Sequence, residues 1–291
     1  MRESRLRELV DVRVRRPHAI AEAAARRSKP SSLLGEHGRL MMIAADHAAR
    51  GVVRAGANPL AMADRGEMLD RLCVALSRPG VNGVLGTPDV IEDLLLLGAL
   101  ADKVVVGSMN RGGLAGTAFE MDDRFTAYDA DSIAAAGFEG GKMLTRIDPD
   151  DPSTAPTLEA CGRAVSALAG HRLLAMVEPF ISHRVDGRVR NELTAEAMIR
   201  AMGVASALGA TSAYTWLKVP VVEDMERVMS ASTLPALILG GEVAADQDSA
   251  FVSWSKALAL PTVQGLVIGR SLLYPPGDDV ASAVDTAVGL L

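Results

Sequence analysis

Two lysines occupy positions where lysines are rare. The 291-residue chain carries five lysines against 25 arginines, and Lys142 (EGGKMLTRID) and Lys218 (AYTWLKVPV) both lie inside apolar runs. Burying an ammonium without partners costs several kcal/mol, so such a residue is paired or functional. For either lysine alone the alternative is a structural ion pair. Carboxylates stand at comparable places, Asp46 in AADHAARG and Glu178 in LLAMVEPF. This set suits Schiff-base chemistry. A free lysine has a pKa near about 10.4 and is protonated at neutral pH. An apolar setting and a neighbouring cation favour the neutral amine that attacks a carbonyl. Lys218, flanked by Leu217 and Val219, is the candidate nucleophile. Lys142 or Arg146 is the candidate neighbouring cation, and Glu178 the candidate proton shuttle. Asp46 would hold a lysine or abstract a hydroxyl proton.

A second group suits anion binding. Gly240 and Gly241 end the run LILGGE, and Gly269 and Arg270 end LVIGRS. Glycines let backbone N–H groups approach an anion, and an arginine adds a forked donor. Each dipeptide alone is a weak signal, because turns need glycine anyway. Their place after the last two apolar runs strengthens it, since barrel phosphate sites use those loops.

These residues need a scaffold that brings strand ends together. Eight apolar runs recur: Leu40–Ala45, Gly83–Leu85, Lys103–Val106, Gly137–Leu144, Leu173–Val177, Ala213–Val219, Ala236–Leu239 and Leu266–Ile268. Helical patterns such as Met62–Leu76, Val90–Leu100, Ala195–Ala207 and Val280–Leu290 lie between them. Alternation of this kind implies parallel strands with right-handed crossovers. Eight units over roughly 250 residues predict a closed (β/α)8 TIM barrel, with chemistry at the C-terminal strand ends. A doubly wound sheet is the runner-up, but no G-x-G-x-x-G follows the first run. The division expected is an N-terminal helical extension over 1–38 and a catalytic barrel over 39–291. The extension holds helices at Arg5–Arg16 and His18–Arg27, packing across the barrel bottom or against a partner subunit.

Composition narrows the class. Hydrophobic residues make up 49 % of the chain and aromatics only 3 %, so small aliphatics must fill the core. The net charge of −6, with no basic run interleaved with aromatics, argues against nucleic acid. No apolar run reaches the roughly 18 residues that span a bilayer, and the basic N-terminus lacks a signal-peptide core. Cys73 and Cys161 form neither a disulfide framework nor a zinc spacing, which fits a reducing cytoplasm. The five histidines show no H-x-H or H-x-x-x-H spacing, so neither metal nor other cofactor is expected. His47 is a candidate substrate contact. His183 and Arg184 (ISHRVDGR) are either substrate contacts or a solvated loop after the fifth run. Asn110 and Arg111 (MNRGGLAG) either bind substrate or shape a loop, with Arg111 paired to an acidic neighbour. Strand alternation places Trp216 on the same face as Lys218, as a filler beneath it.

In order along the chain, AADHAARG, GGKMLTRIDPD, LLAMVEPF, YTWLKVPV, LILGG and GLVIGRSLLY resemble the class I aldolases of the superfamily that includes deoxyribose-phosphate aldolase. The likeness is greatest to the tagatose-bisphosphate and sulfofructose-phosphate aldolase branch, with archaeal-type fructose-bisphosphate aldolases next. It covers roughly residues 39–275. The resemblance implies Lys218 as Schiff-base lysine, Lys142 as its assistant and Glu178 as proton shuttle. It also implies Asp46 as the aspartate after the first strand, and Gly240, Gly241, Gly269 and Arg270 as the phosphate loops. His47 replaces the family's glutamine, and Thr145–Arg146 stand where the tagatose branch has aromatics, which leaves the substrate open. Arg146 joins His47 as a candidate substrate-binding residue. The implied reaction is reversible carbon–carbon cleavage of a phosphorylated keto-sugar or keto-sugar acid, releasing dihydroxyacetone phosphate. 2-Deoxy-5-keto-gluconate 6-phosphate of inositol breakdown is one such substrate. Two alternatives stay open: a deoxyribose-phosphate-type aldolase with acetaldehyde as donor, and a non-catalytic phosphosugar-binding barrel. The first places its second lysine on the seventh strand, where this chain has Gly240–Gly241. A homo-oligomer is expected on general grounds.

Overall fold

A computed structural model describes residues 3–35, 37–243 and 246–291. Met1, Arg2 and Glu36 of the expected extension lie outside the described residues. Eight parallel strands close into a barrel: β1 (Leu40–Ala45), β2 (Gly83–Gly86), β3 (Val104–Ser108), β4 (Gly140–Ile147), β5 (Leu174–Val185), β7 (Thr215–Pro220), β8 (Ala236–Leu239) and β9 (Val263–Ile268). Neighbours pair in the order β4-β3-β2-β1-β9-β8-β7-β5, and a β4–β5 ladder closes the ring. The fold is the (β/α)8 TIM barrel that the alternation predicts. Helices α3 (Arg65–Ser77), α4 (Pro88–Leu96), α5 (Ala130–Ala135), α6 (Thr154–Gly170), α7 (Ala195–Ser206), α8 (Met225–Met229), α9 (Gln247–Leu258) and α11 (Val280–Val288) link or follow the strands. Their starts are locally coded: Asp64, Asp129, Thr194, Asp246 and Asp279 each accept a backbone N–H from three residues on, satisfying a donor the helix leaves orphaned.

Strand period two sorts the apolar residues into two layers. Leu40, Met42, Ala44, Leu85, Val104, Val106, Leu174, Met176, Leu237 and Val267 fill the barrel interior. Trp216 packs against them, in the filler position beneath Lys218. Met41, Ile43, Val84, Val105, Met143, Val177, Leu217, Ile238 and Ile268 point outward into the layer beneath the helices. The same alternation, continued toward the C-terminal ends, turns Asp46, Ser108, Lys142, Glu178 and Lys218 inward above the apolar plug.

The N-terminal extension folds as α1 (Glu3–Arg15) and α2 (Ala19–Arg26), followed by an irregular segment. It seals the barrel bottom. The Arg27 guanidinium donates to the Lys103 and Gly137 carbonyls at 2.7 Å each and pairs with Glu139 at 2.7 Å, all near strand beginnings. Leu33 and Leu34 pack against the interior cluster. Arg13 on α1 fastens to Glu92 and Asp93 of α4, at 2.8 Å each.

Two expectations need correction. His183 and Arg184 lie in a strand rather than a loop: β5 runs on to Val185 and pairs antiparallel with β6 (Arg188–Asn191). The turn between them is Asp186–Gly187, with φ of 50° and 73°. An Asp-Gly pair with both residues left-handed is the turn whose twist suits a two-residue hairpin. The fourth strand begins at Gly140, not Gly137, because Gly137 takes a left-handed φ of 69° and ends the preceding helix turn.

The β1–β9 seam is tightest at Gly265, paired with Leu40. Its φ is 147°, and a Cβ there would stand 1.9 Å from the Leu40 carbonyl oxygen. Gly265→Ala should therefore cost about 3 kcal/mol. A urea titration should show a lower midpoint with an unchanged slope; an unchanged midpoint would mean that the seam is not under this constraint.

Candidate active site

The C-terminal end of the barrel opens into a cavity of about 470 Å³. Its wall includes Asp46, His47, Arg146, Glu178, Lys218, Gly240, Gly241, Gly269 and Arg270, so nine of the ten site residues singled out from the sequence face one space. Lys142, the tenth, lies directly behind them and is wholly inaccessible to solvent.

Glu178 stands between the two lysines. Lys218 Nζ donates to Glu178 Oε1 at 2.8 Å, and Lys142 Nζ pairs with Glu178 Oε2. Lys142 also reaches Asp46 Oδ2 at 3.4 Å. That same oxygen accepts from Ser108 Oγ at 3.0 Å and from Arg111 Nη2. Arg111 Nε donates to Ser108 Oγ at 3.0 Å. The ends of β1 and β3, the Arg111 loop and the body of β4 are thus tied through one carboxylate oxygen.

Burial and neighbouring charge set the protonation states. Burial lowers Lys142 well below the ordinary lysine value, and Arg111 adds repulsion. Burial also lowers Lys218; Glu178 pulls it back up, while Arg111 and Arg270 push it further down. Burial alone would raise Glu178, but Lys142, Lys218 and Arg111 overcome it and hold the carboxyl well below the usual range. A neutral amine beside an ionised carboxylate is the pair that carbonyl addition needs. Between the two lysines, accessibility decides which can meet a ligand: Lys218 lines the cavity and Lys142 does not.

The adjoining wall, formed by the loops after β8 and β9 between β7 and β1, fits an anion. Gly269 presses so closely on β1 that a Cβ would lie 2.5 Å from the Ala44 carbonyl oxygen and 2.6 Å from His47 Cε1. Only glycine lets this loop pass. Gly241 takes a left-handed φ of 68° after β8. Arg270 opens the short helix α10 (Arg270–Leu273), is 8 % exposed, and has its buried Nε without a partner. Among the described residues it pairs with Glu242, at 3.7 Å. His47 has a buried, unpartnered Nδ1, and burial together with Arg270 and Lys218 keeps the ring neutral. Two buried polar atoms lacking partners beside a cavity are what a bound polar group would satisfy.

Arg146 lines the cavity but is already engaged. It makes a two-pronged bond to Asp123, with Nε to Oδ2 at 2.8 Å and Nη2 to Oδ1 at 2.7 Å, and also donates to the Glu120 carbonyl. Of the two cations expected beside Lys218, Lys142 shares Glu178 with it and Arg146 does not; Arg111 is a further cation acting on both lysines. The work of Arg146 is to anchor the long β3–α5 loop, and Arg50 helps by donating to the Gly113 carbonyl at 2.9 Å. Asn110 is likewise committed, exchanging two hydrogen bonds with the Leu144 backbone. His183 lies 3.6 Å from Asp148 and 3.4 Å from Glu192, and Arg184 bonds the Ala118 carbonyl at 3.0 Å; neither lines the cavity. From the hairpin, Arg190 and Asn191 do. Ser108 was missed in the sequence, although it continues the alternation Val104, Val106, Ser108 into the site. Among the described residues no group of three or more His, Cys, Asp or Glu could hold a metal ion, and no helix is long and apolar enough to cross a membrane.

A TIM barrel with a buried lysine pair around a carboxylate at the C-terminal end of its strands is the class defined by this fold and site. Residues 38–288 match the Cgl0159-like family, and the chain belongs to it. It is 52 % identical to Cgl0159 from Corynebacterium glutamicum, whose crystal structure superposes with a TM-score of 0.97 over 100 % of this chain and 97 % of that one. A Schiff-base-forming fructose-1,6-bisphosphate aldolase is 18 % identical, with a TM-score of 0.66 over 93 % of this chain and 99 % of that one. An archaeal fructose 1,6-bisphosphate aldolase gives 18 % and 0.65, over 93 % and 98 %. At this identity the two aldolases share the fold. No curated protein matches the chain.

Glu178 is held below its unfolded value, so the stability it contributes is present above about pH 4.3 and is lost as pH falls through the folded value. Removing it leaves two lysines without their shared acceptor. Glu178→Gln should be about 3 kcal/mol less stable than wild type at neutral pH. The gap should begin to narrow below about pH 4.3 and close only at still lower pH. Chemical unfolding across that range checks it; a gap that does not change with pH would remove the carboxylate's charge from the explanation.

Proposed function

We propose that the chain is a class I aldolase that cleaves a phosphorylated keto-sugar or keto-sugar acid through a Schiff base on Lys218. One observation carries this reading: of two lysines sharing the Glu178 carboxylate, Lys218 alone opens onto the cavity. The unpartnered Arg270 Nε in the wall of the same cavity supports a phosphate beside it. The placing of the chain near the tagatose-bisphosphate and sulfofructose-phosphate branch belongs to the same proposal. So does dihydroxyacetone phosphate as the released ketone, with 2-deoxy-5-keto-gluconate 6-phosphate as one fitting substrate.

In the proposed cycle the neutral Lys218 amine adds to the substrate ketone, and Glu178 takes the proton the nitrogen sheds and passes it to the oxygen, giving the carbinolamine; a second proton, taken up from solvent through Glu178, lets that hydroxyl leave as water. The resulting iminium is an electron sink. A base removes the proton of the hydroxyl on the carbon beyond the α carbon, the carbon–carbon bond breaks, its electron pair forms the enamine, and an aldehyde departs. Protonation of the enamine carbon and addition of water then release the ketone and restore the amine. Glu178, 2.8 Å from Lys218 Nζ, is placed for these proton transfers. Asp46, whose Oδ2 already takes Arg111, Ser108 and Lys142, holds the lysine from behind.

Borohydride in the presence of dihydroxyacetone phosphate should fix the ketone's mass on Lys218, located by peptide mass spectrometry, and Lys218→Met should lose both label and turnover. Label absent from the wild-type protein, or found on another residue, would reject the assignment. Arg270→Ala should raise KM for the phosphorylated substrate by about 10- to 100-fold, the worth of a charge-assisted hydrogen bond or two. An unchanged KM would move the phosphate elsewhere.

A further inference from the structure

Five ionisable side chains meet at the mouth: Asp46 after β1, Arg111 after β3, Lys142 on β4, Glu178 on β5 and Lys218 on β7. All are buried. Fully ionised, they are three cations against two carboxylates. The surrounding charges do not correct this excess. Arg146 and Arg50 are answered by Asp123 and Glu120, and Arg270 faces Glu242. His47 adds no charge in its neutral form.

We propose that Arg111 is a positioning residue for the lysine pair: by occupying the Asp46 oxygen that Lys142 reaches only at 3.4 Å, it leaves Glu178 as the main carboxylate for both lysines, and so makes one of the two amines neutral. The inference rests on Lys218 being the reactive lysine. An enclosed excess of positive charge is relieved at whichever group releases a proton most easily. Burial lowers Arg111 to about 10, which still leaves it charged at neutral pH. The carboxylates have no proton to give. Only the lysines can yield, and Glu178, bonded to both, lets the remaining proton be shared. Without Arg111 the count would close the other way. Asp46, shared with Arg111 in the wild type, would answer Lys142 alone, Glu178 would answer Lys218, and both ammoniums would persist. Ser108 holds the arrangement in register, bonding Arg111 Nε and Asp46 Oδ2 at 3.0 Å each.

Reductive methylation tests this without any natural substrate. A neutral amine adds formaldehyde, loses water to an iminium, and takes hydride from cyanoborohydride to give N-methyl-lysine; the protonated amine does not react. Labelling of Lys218 in the full-length protein is followed by peptide mass spectrometry from about pH 6 to about pH 10, the span that brackets the free lysine value. In Arg111→Met the profile should move up by about one pH unit, a roughly tenfold loss of labelling at neutral pH that high pH restores. Arg111→Lys should recover the wild-type profile in large part. Asp46→Asn, which strengthens the positive excess, should move the profile down. A shift of opposite sign in the two variants is something general loosening cannot produce. An Arg111→Met profile that overlays wild type, or falls by one factor at every pH, would overturn the proposal. If Arg111→Met does not fold, a downward shift in Asp46→Asn supports it and an unmoved profile overturns it. Borohydride trapping with dihydroxyacetone phosphate is run in parallel. If wild type is not trapped, the aldolase reading fails while the methylation profile still reports on Arg111.

Discussion

The Glu178 carboxylate, bonded to Lys142 on one oxygen and Lys218 on the other, is the interaction on which the rest of the site depends. Two ammoniums this close and this buried would repel each other and lose their hydration. One shared carboxylate offsets part of that cost and leaves a surplus of protons that the cluster sheds easily. The barrel makes the arrangement possible. Beneath the charges lies a dry plug of Leu40, Met42, Val104, Val106, Met176, Leu237 and Val267, which keeps water from solvating the lysines from below. In such surroundings, attraction and repulsion between charges act at greater strength than in water.

The architecture also divides labour around the mouth. Strands β1, β3, β4, β5 and β7 contribute the charged cluster, while the loops after β8 and β9, between β7 and β1, contribute glycines and Arg270. The proposed ketose phosphate would use both: an amine at its carbonyl and donors at its phosphate. The Arg146–Asp123 and Arg50–Gly113 contacts fasten the loop that carries Arg111, so the guanidinium reaching Asp46 comes from a segment held at several points. A pre-organised arginine loses little side-chain freedom on acting, which is the advantage of a positioned charge over a mobile one.

Much of this was legible before any coordinates, and for a physical reason. Strand alternation is a local property, so the inward direction of Trp216 and Lys218 follows from their spacing alone. Rare lysines in apolar runs announce a need for partners, and Asp46 and Glu178 were found because they also end apolar runs. Pairing across the barrel was not legible, since it depends on closure and register. Arg111 and Arg146 are the same residue type near neighbouring strand ends, yet one pairs with Asp46 and the other with Asp123. Only the three-dimensional path of the β3–α5 loop separates those outcomes. The β5–β6 hairpin had a readable Asp-Gly turn signal, but the basic residues around it gave no apolar alternation to mark the strands.

The most direct measurement of the central claim is a crystal structure of the protein soaked with dihydroxyacetone phosphate. The account predicts continuous electron density from Lys218 Nζ to the ketone carbon, Glu178 within hydrogen-bond reach of it, and the phosphate against Gly240, Gly241, Gly269 and Arg270. Density joined to Lys142, or a ligand seated in the cavity with no covalent bond to Lys218 and its phosphate away from Arg270, would contradict it.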